Sequence, residues 1–190
     1  TIVHEYDLQG RKKRSILYGP EGEKTLSNRG VAGWSNQYDS VGNFIKQSYF
    51  GLDGQPILNS SGYAGWSDEY DVRGNHIKRS YFGINGEPIV ASFGYAGRTQ
   101  KFDKRDNEIE RRYFGLQGEL VLNQDDTPFA LRKREYNKHG QLLVEWIFDA
   151  NGAAIEIEPG VYAYRHRYDK NGAEVEKVPV TSPLEIPHSD

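Results

Sequence analysis

The chain has 190 residues, of which 36% are hydrophobic and 27% charged, with a formal net charge of -3; this is a globular composition whose mixed signs argue against a nucleic-acid partner, because nucleic acid demands a basic face. No apolar run approaches the roughly 18 residues of a membrane helix, and no segment has the pattern of a signal peptide, so membrane insertion is not expected. There is no Cys and no Met: disulfides and thiolate-bound metals are excluded, and a chain that starts at Thr1 is expected to be a piece of a longer parent.

In chain order, Tyr6-Asp7 opens a pattern that recurs. The stretches YDLQGR at Tyr6, YDSVGN at Tyr38, YDVRGN at Tyr70, FDKRDN at Phe102, YNKHGQ at Tyr136 and YDKNGA at Tyr168 are spaced by 32, 32, 32, 34 and 32 residues. The spacing predicts tandem units starting near 6, 38, 70, 102, 136 and 168, forming one repeat domain over 1–178. The longer interval falls in Asn123 to Leu131, a Pro-containing stretch where a loop insertion is tolerated. The run Arg11 to Ser15 is the densest basic patch, and it reads as the solvated face of a strand.

Within a unit, Ala32 to Tyr38 and Asn43 to Phe50 read as strands of a hairpin. The first turn is Asp-x-x-Gly: Asp39 or Asp71 accepts a hydrogen bond from the backbone two residues on, while Gly42 or Gly74 takes positive φ. A second turn is Gly51-x-x-Gly54, followed by a short extended piece, Pro56 to Asn59, that reads as a third strand at an edge. Position 45 and its equivalents are always aliphatic, so Ile45 is expected to share a packed face with Tyr38 and Tyr49; the changeable neighbour, Phe44, His76, Glu108, Leu142 and Glu174, is expected to face solvent. Tyr49, Tyr81 and Tyr113, each followed by Phe and Gly, read as pegs of the core.

One unit has too few large apolar side chains to offset the entropy of ordering its backbone. The fold class is therefore expected to be all-β, with tandem 32-residue β-hairpin units stacked into an elongated solenoid-like array. The segment 179–190, with three Pro among its twelve residues, reads as a tail or linker.

Two resemblances follow from these residues. Tyr6-Asp7-Gly10-Arg11, Tyr38-Asp39-Gly42-Asn43 and Tyr70-Asp71-Gly74-Asn75 resemble the YD repeats of Rhs and teneurin-type cell-surface proteins, which build β-sheet shells that display or enclose other polypeptides. The longer run from Gly33-Trp34 through Tyr49-Phe50 to Gly54 looks like the aromatic hairpins of choline-binding and cell-wall-binding modules, which hold choline or sugar between consecutive hairpins. The first resemblance implies an architectural segment and the second implies recognition of a glycan or cell-envelope ligand. Both imply an extracellular or bacterial cell-surface location, with either that ligand or other domains of the parent as partner.

The candidate ligand-binding row is Trp34, Trp66 and Arg98. Trp and Arg share a flat face that stacks at a surface, and a core position does not accept a guanidinium readily; the bland alternative is half-exposed packing with Arg stems covering neighbours. No cofactor is expected. The histidines at 4, 76, 139, 166 and 188 occupy unrelated positions, and Asp169 to Gly172 reads as a plain turn rather than a calcium loop. The recurring carboxylates are explained by turn capping, and Ser48 and Ser80 have no recurring His, so the chain is not expected to be an enzyme.

Overall fold

A computed structural model describes residues 1–124 and 127–183; part of the 123–131 insertion and most of the 179–190 tail lie outside the described residues. The strands are β1 (Ile2–Tyr6), β2 (Lys12–Leu17), β3 (Gly33–Tyr38), β4 (Phe44–Phe50), β5 (Gly65–Tyr70), β6 (His76–Phe82), β7 (Gly97–Phe102), β8 (Glu108–Phe114), β9 (Leu131–Tyr136), β10 (Leu142–Phe148), β11 (Ala163–Tyr168) and β12 (Glu174–Val180). They form one open, antiparallel, 12-stranded sheet in chain order. The described residues contain no α-helix. The expected all-β hairpin chain is what is found. By contacts it divides into two compact units, Thr1–Arg98 and Thr99–Asp190.

The Tyr-Asp turns close as their chemistry demands. Asp39 Oδ1 accepts from the backbone N–H of Val41 at 3.0 Å and of Asn43 at 2.8 Å, while Asn43 Nδ2 donates to Asp39 Oδ2 at 2.8 Å. Gly42 stands at φ 101, a conformation costly for any residue with a Cβ. Asp106 fills that place in its own turn at φ 63, where Asp is among the tolerated residues. The tyrosine of the dipeptide acts elsewhere. Tyr38 donates to the carbonyl of Lys12 at 3.0 Å, Tyr70 to Phe44 at 3.1 Å, Tyr136 to Glu108 at 3.2 Å and Tyr168 to Leu142 at 2.8 Å. Each hydroxyl thereby ties its hairpin to the preceding one.

Several expectations are corrected. The piece Pro56 to Asn59 is not a third strand. It makes a single bridge, Phe50 to Pro56, and a backbone bond from Ile57 to Tyr49 at 3.3 Å; Pro cannot donate, and the chain then turns again at Asn59, whose Oδ1 accepts from Ser61 and Tyr63. Ile45 is the bulged residue of β4, because Gln37 pairs with Lys46 and Tyr38 with Phe44. Phe44 does not face solvent: its ring meets Trp66 edge-on at 4.7 Å and stacks on Tyr38 at 5.4 Å. The basic run is only partly solvated. Ser15 is fully buried, and Arg14 lies over the Phe50 ring at 4.4 Å.

In the first unit the aromatic mass gathers at the loop ends of the hairpins. Tyr63 packs on Tyr81 at 4.7 Å, Phe93 on Tyr95 at 4.4 Å and Tyr81 on Phe93 at 4.9 Å, centroid separations typical of favourable ring pairs. Burial pushes the Tyr49 hydroxyl up to about 12. The loops interlock too, Ser60 donating to the carbonyl of Arg29 and Ser92 to that of Ser61, both at 2.8 Å. On the other face, Phe50 covers Gly33 so closely that a Cβ there would stand 2.5 Å from the ring and 2.2 Å from the carbonyl oxygen of Ser15. Gly65 carries Phe82 in the same way.

The second unit buries aliphatic and aromatic side chains on one face of its sheet: Leu131, Val144, Trp146, Phe148, Ala163 and Val180. Val180 pairs with Ala163 and Pro179 with Tyr164. The last strand thus takes up the first two residues assigned to the tail, because Val180 completes this core.

Candidate functional site

Trp34, Trp66 and Arg98 each follow a buried glycine near the start of an odd-numbered strand. Trp34 stands opposite Ser15 and Tyr49, and Trp66 opposite Gln47 and Tyr81, so both tryptophans lie on one face of the sheet. They are two strands apart, roughly 9.5 Å, with Tyr49 and Gln47 of β4 between them. Trp34 and Arg98 are half-buried. Trp66 is 7% exposed, with the Arg79 guanidinium 4.0 Å above its ring and Phe44 against its edge. The row exists as a strand position, and its central member is enclosed.

A charged centre holds that enclosure. Asp68, two residues from Trp66 and on the same face, receives Arg79 Nε at 2.7 Å and Nη2 at 2.6 Å, and His76 Nε2 stands 2.9 Å from it. Burial pushes the Asp68 carboxyl up, but the hydrogen bonds from Arg79 and His76 outweigh it and hold the group below the usual carboxylate range. The bidentate fork fixes the guanidinium plane over the indole.

In the second unit Arg132 and Tyr164 occupy the strand position that Trp34 and Trp66 hold in the first. Arg132 Nη2 donates to Glu108 at 2.8 Å, and Arg111 donates to the same carboxylate. Burial pushes Glu108 up, and the bonds from Arg132 and Arg111 bring it below its ordinary value. Arg134 Nε binds Glu145 at 2.5 Å. Beside this network lies an open concavity of about 580 Å³ with Arg132, Glu145, Tyr164, His166 and Lys177 on its walls and Leu142, Ile147 and Phe129 among its apolar lining. Lys177 stacks its ammonium on Tyr164 at 3.9 Å, and His166 pairs with Glu174 at 3.0 Å. Glu145, the one carboxylate lining it among the described residues, is already engaged by Arg134. The arrangement suits holding a ring against Tyr164 beside the Lys177 cation.

Sequence reasoning missed Glu108, placing it in solvent, although a signal was present. Its position tracks the Trp34/Trp66 position in the following hairpin: Phe44 meets Trp66, Glu108 meets Arg132, and Leu142 lines the same concavity as Tyr164. His76 departs from the pattern because Asp68 claims it. The chain matches no protein-family model, and no curated protein matches it.

Proposed function

We propose that this chain is a non-catalytic architectural module: hairpin units of 32 residues stacked in an elongated, solenoid-like array that spaces or encloses other domains of a bacterial cell-surface or secreted protein. The observation that carries this reading is the enclosure of Trp66 between Arg79 and Phe44. A side chain placed for ligand would keep a ring face free; this one joins β4, β5 and β6. The Tyr-Asp hydroxyls tying hairpin to hairpin support the same reading, as does the resemblance to YD repeats. Thermal unfolding of Trp66→Ala tests it. The expected loss is about 3 kcal/mol, as for removal of a buried aromatic, with no saturable glycan binding by the wild type; a glycan interaction abolished by Trp66→Ala at unchanged melting temperature overturns the reading.

A second reading, recognition of a glycan or cell-envelope ligand, is favoured by the concavity at Tyr164 and Lys177. Aromatic rings beside cations suit sugar faces bearing an anionic group. A glycan array comparing wild type with Tyr164→Ala decides between the two, because equal signals from both proteins remove the second reading.

A further inference from the structure

We infer that, in the first unit, the sheet face opposite Trp34 and Trp66 is a docking face for an extended acidic peptide segment, gripped by Arg14 and Lys46. The inference rests on the architectural reading above and names the chemistry of the polypeptide that such a module holds.

Directly opposed residues of an antiparallel sheet share a face. Arg14 stands opposite Ser35 and Ser35 opposite Ser48; one hairpin on, Lys46 stands opposite Ser67 and Ser67 opposite Ser80. The unit thus repeats a row of one cation and two hydroxyls. Each cation reaches across two strands to lie on a phenylalanine, Arg14 at 4.4 Å over the Phe50 ring and Lys46 at 4.7 Å over that of Phe82. Among the described residues neither cation pairs with a carboxylate, and none of the four serine hydroxyls has a hydrogen-bond partner. Glu5, across the ladder from Arg14, is exposed and forms no ion pair with it.

The same face is treated differently elsewhere in the chain. Lys78, the next member of the Arg14 and Lys46 series, is taken by Glu69 at 2.8 Å. In the second unit Glu110 follows in that series and stands opposite Lys133. Trp146 takes the place of Ser48 there and is 1% exposed, packed in one core with Val144 and Phe148. The second unit therefore fills this face with an indole of its own. Where Ser48 stands instead, a concavity of about 450 Å³ lies open, lined by Arg14, Ser35, Ser48, Phe50 and Pro56, with Glu5 on its wall.

The spacing of the cations defines the occupant. Arg14 and Lys46 rise from positions two strands and two residues apart, roughly 12 Å, and Phe50 and Phe82 beneath their charged heads are offset in the same way. An extended chain covers that span in about four residues, and its residues i, i+2 and i+4 point to one side. The matching segment has carboxylates at i and i+4, which accept charge-assisted hydrogen bonds from the two cations and neutral ones from the serine hydroxyls. A ring at i+2 enters the concavity, as Trp146 occupies the corresponding place in the second unit.

The probe is the peptide acetyl-Ala-Glu-Ala-Trp-Ala-Glu-Ala-amide, titrated into the isotope-labelled chain and followed by its backbone amide resonances, which also report whether each variant is folded. The expected result is a saturable set of shifts gathered at Arg14, Ser35, Ser48 and Ser67. Arg14→Gln and Lys46→Gln should each weaken binding about tenfold, for one lost charge-assisted contact, whereas Lys104→Gln, which removes an equal charge at an exposed turn, should leave it unchanged. Ser48→Trp, filling the concavity from within, should erase the difference between this peptide and its Trp-to-Ala form. The inference is overturned by an absence of saturable shifts, by equal binding of the peptide with Gln in place of both Glu, or by Arg14→Gln and Lys46→Gln proteins that bind like Lys104→Gln. None of those outcomes touches the architectural reading, which is decided separately by the unfolding of Trp66→Ala.

Discussion

Glu108 accepts from Arg132 at 2.8 Å at the place where, in the first unit, Phe44 meets Trp66 edge-on. One strand position has been filled by an ion pair and by an aromatic pair, each matched across two hairpins. Replacing Glu108 with Phe alone leaves Arg132 largely buried beside an apolar ring, and is expected to cost about 2 to 3 kcal/mol. Adding Arg132→Trp should recover most of that. Urea unfolding of the four proteins in a double-mutant cycle should give a coupling of at least about 1 kcal/mol; additive losses would mean the two positions do not read each other.

Gly33 and Gly42 are constrained for different reasons. A Cβ on Gly33 collides with backbone and with the Phe50 ring, whereas one on Gly42 meets nothing within 4 Å and suffers only from the φ of 101. Gly33→Ala should therefore cost upwards of about 3 kcal/mol by overpacking, and Gly42→Ala about 1 to 2 by backbone strain. Melting temperatures in the reverse order would show that the Phe50 ring moves aside at little cost.

The Tyr70 hydroxyl binds the Phe44 carbonyl at 3.1 Å. Its removal in Tyr70→Phe is expected to lower stability by about 1 kcal/mol, the usual size of one hydrogen bond. Hydrogen exchange at β4 and β5 should speed up locally; unchanged exchange there would show that the hydroxyl does not bind the hairpins together.

The turn carboxylates bear on acid stability. The side-chain amide of Asn75 is the main group holding Asp71 below its ordinary value, with backbone N–H groups of Asn75 and Arg73 adding to it; Asn107 acts likewise on Asp103. A depressed folded value means the contribution is complete above the unfolded value of about 3.9 and fades as pH falls through the folded one. Asp71→Asn keeps the acceptor without the titration, as Asn137 already does at its own turn by accepting from His139 and Gln141. The urea midpoint of Asp71→Asn should accordingly fall less than that of wild type between pH 5 and 3.

The local alphabet of this protein was legible without coordinates. Asp39, Gly42 and Asn43 specify their turn through contacts within five residues, and β3 and β4 fall almost where the aromatic stretches predicted them. The tyrosine pegs were equally readable, because Tyr49, Tyr81 and Tyr113 are buried as their recurrence at strand ends implied. What a single strand cannot disclose is its neighbour across the sheet. The bulge at Ile45 shifts the register, so a variable position taken for solvent becomes the partner of a residue one hairpin away, and Trp66 acquires Arg79 and Phe44 as covers. Gly33 is decided the same way, by a ring from the next strand lying where its side chain would be. Turns follow from bonds made along the chain; the fate of each side chain on the sheet follows from register, which the whole set of strands determines together.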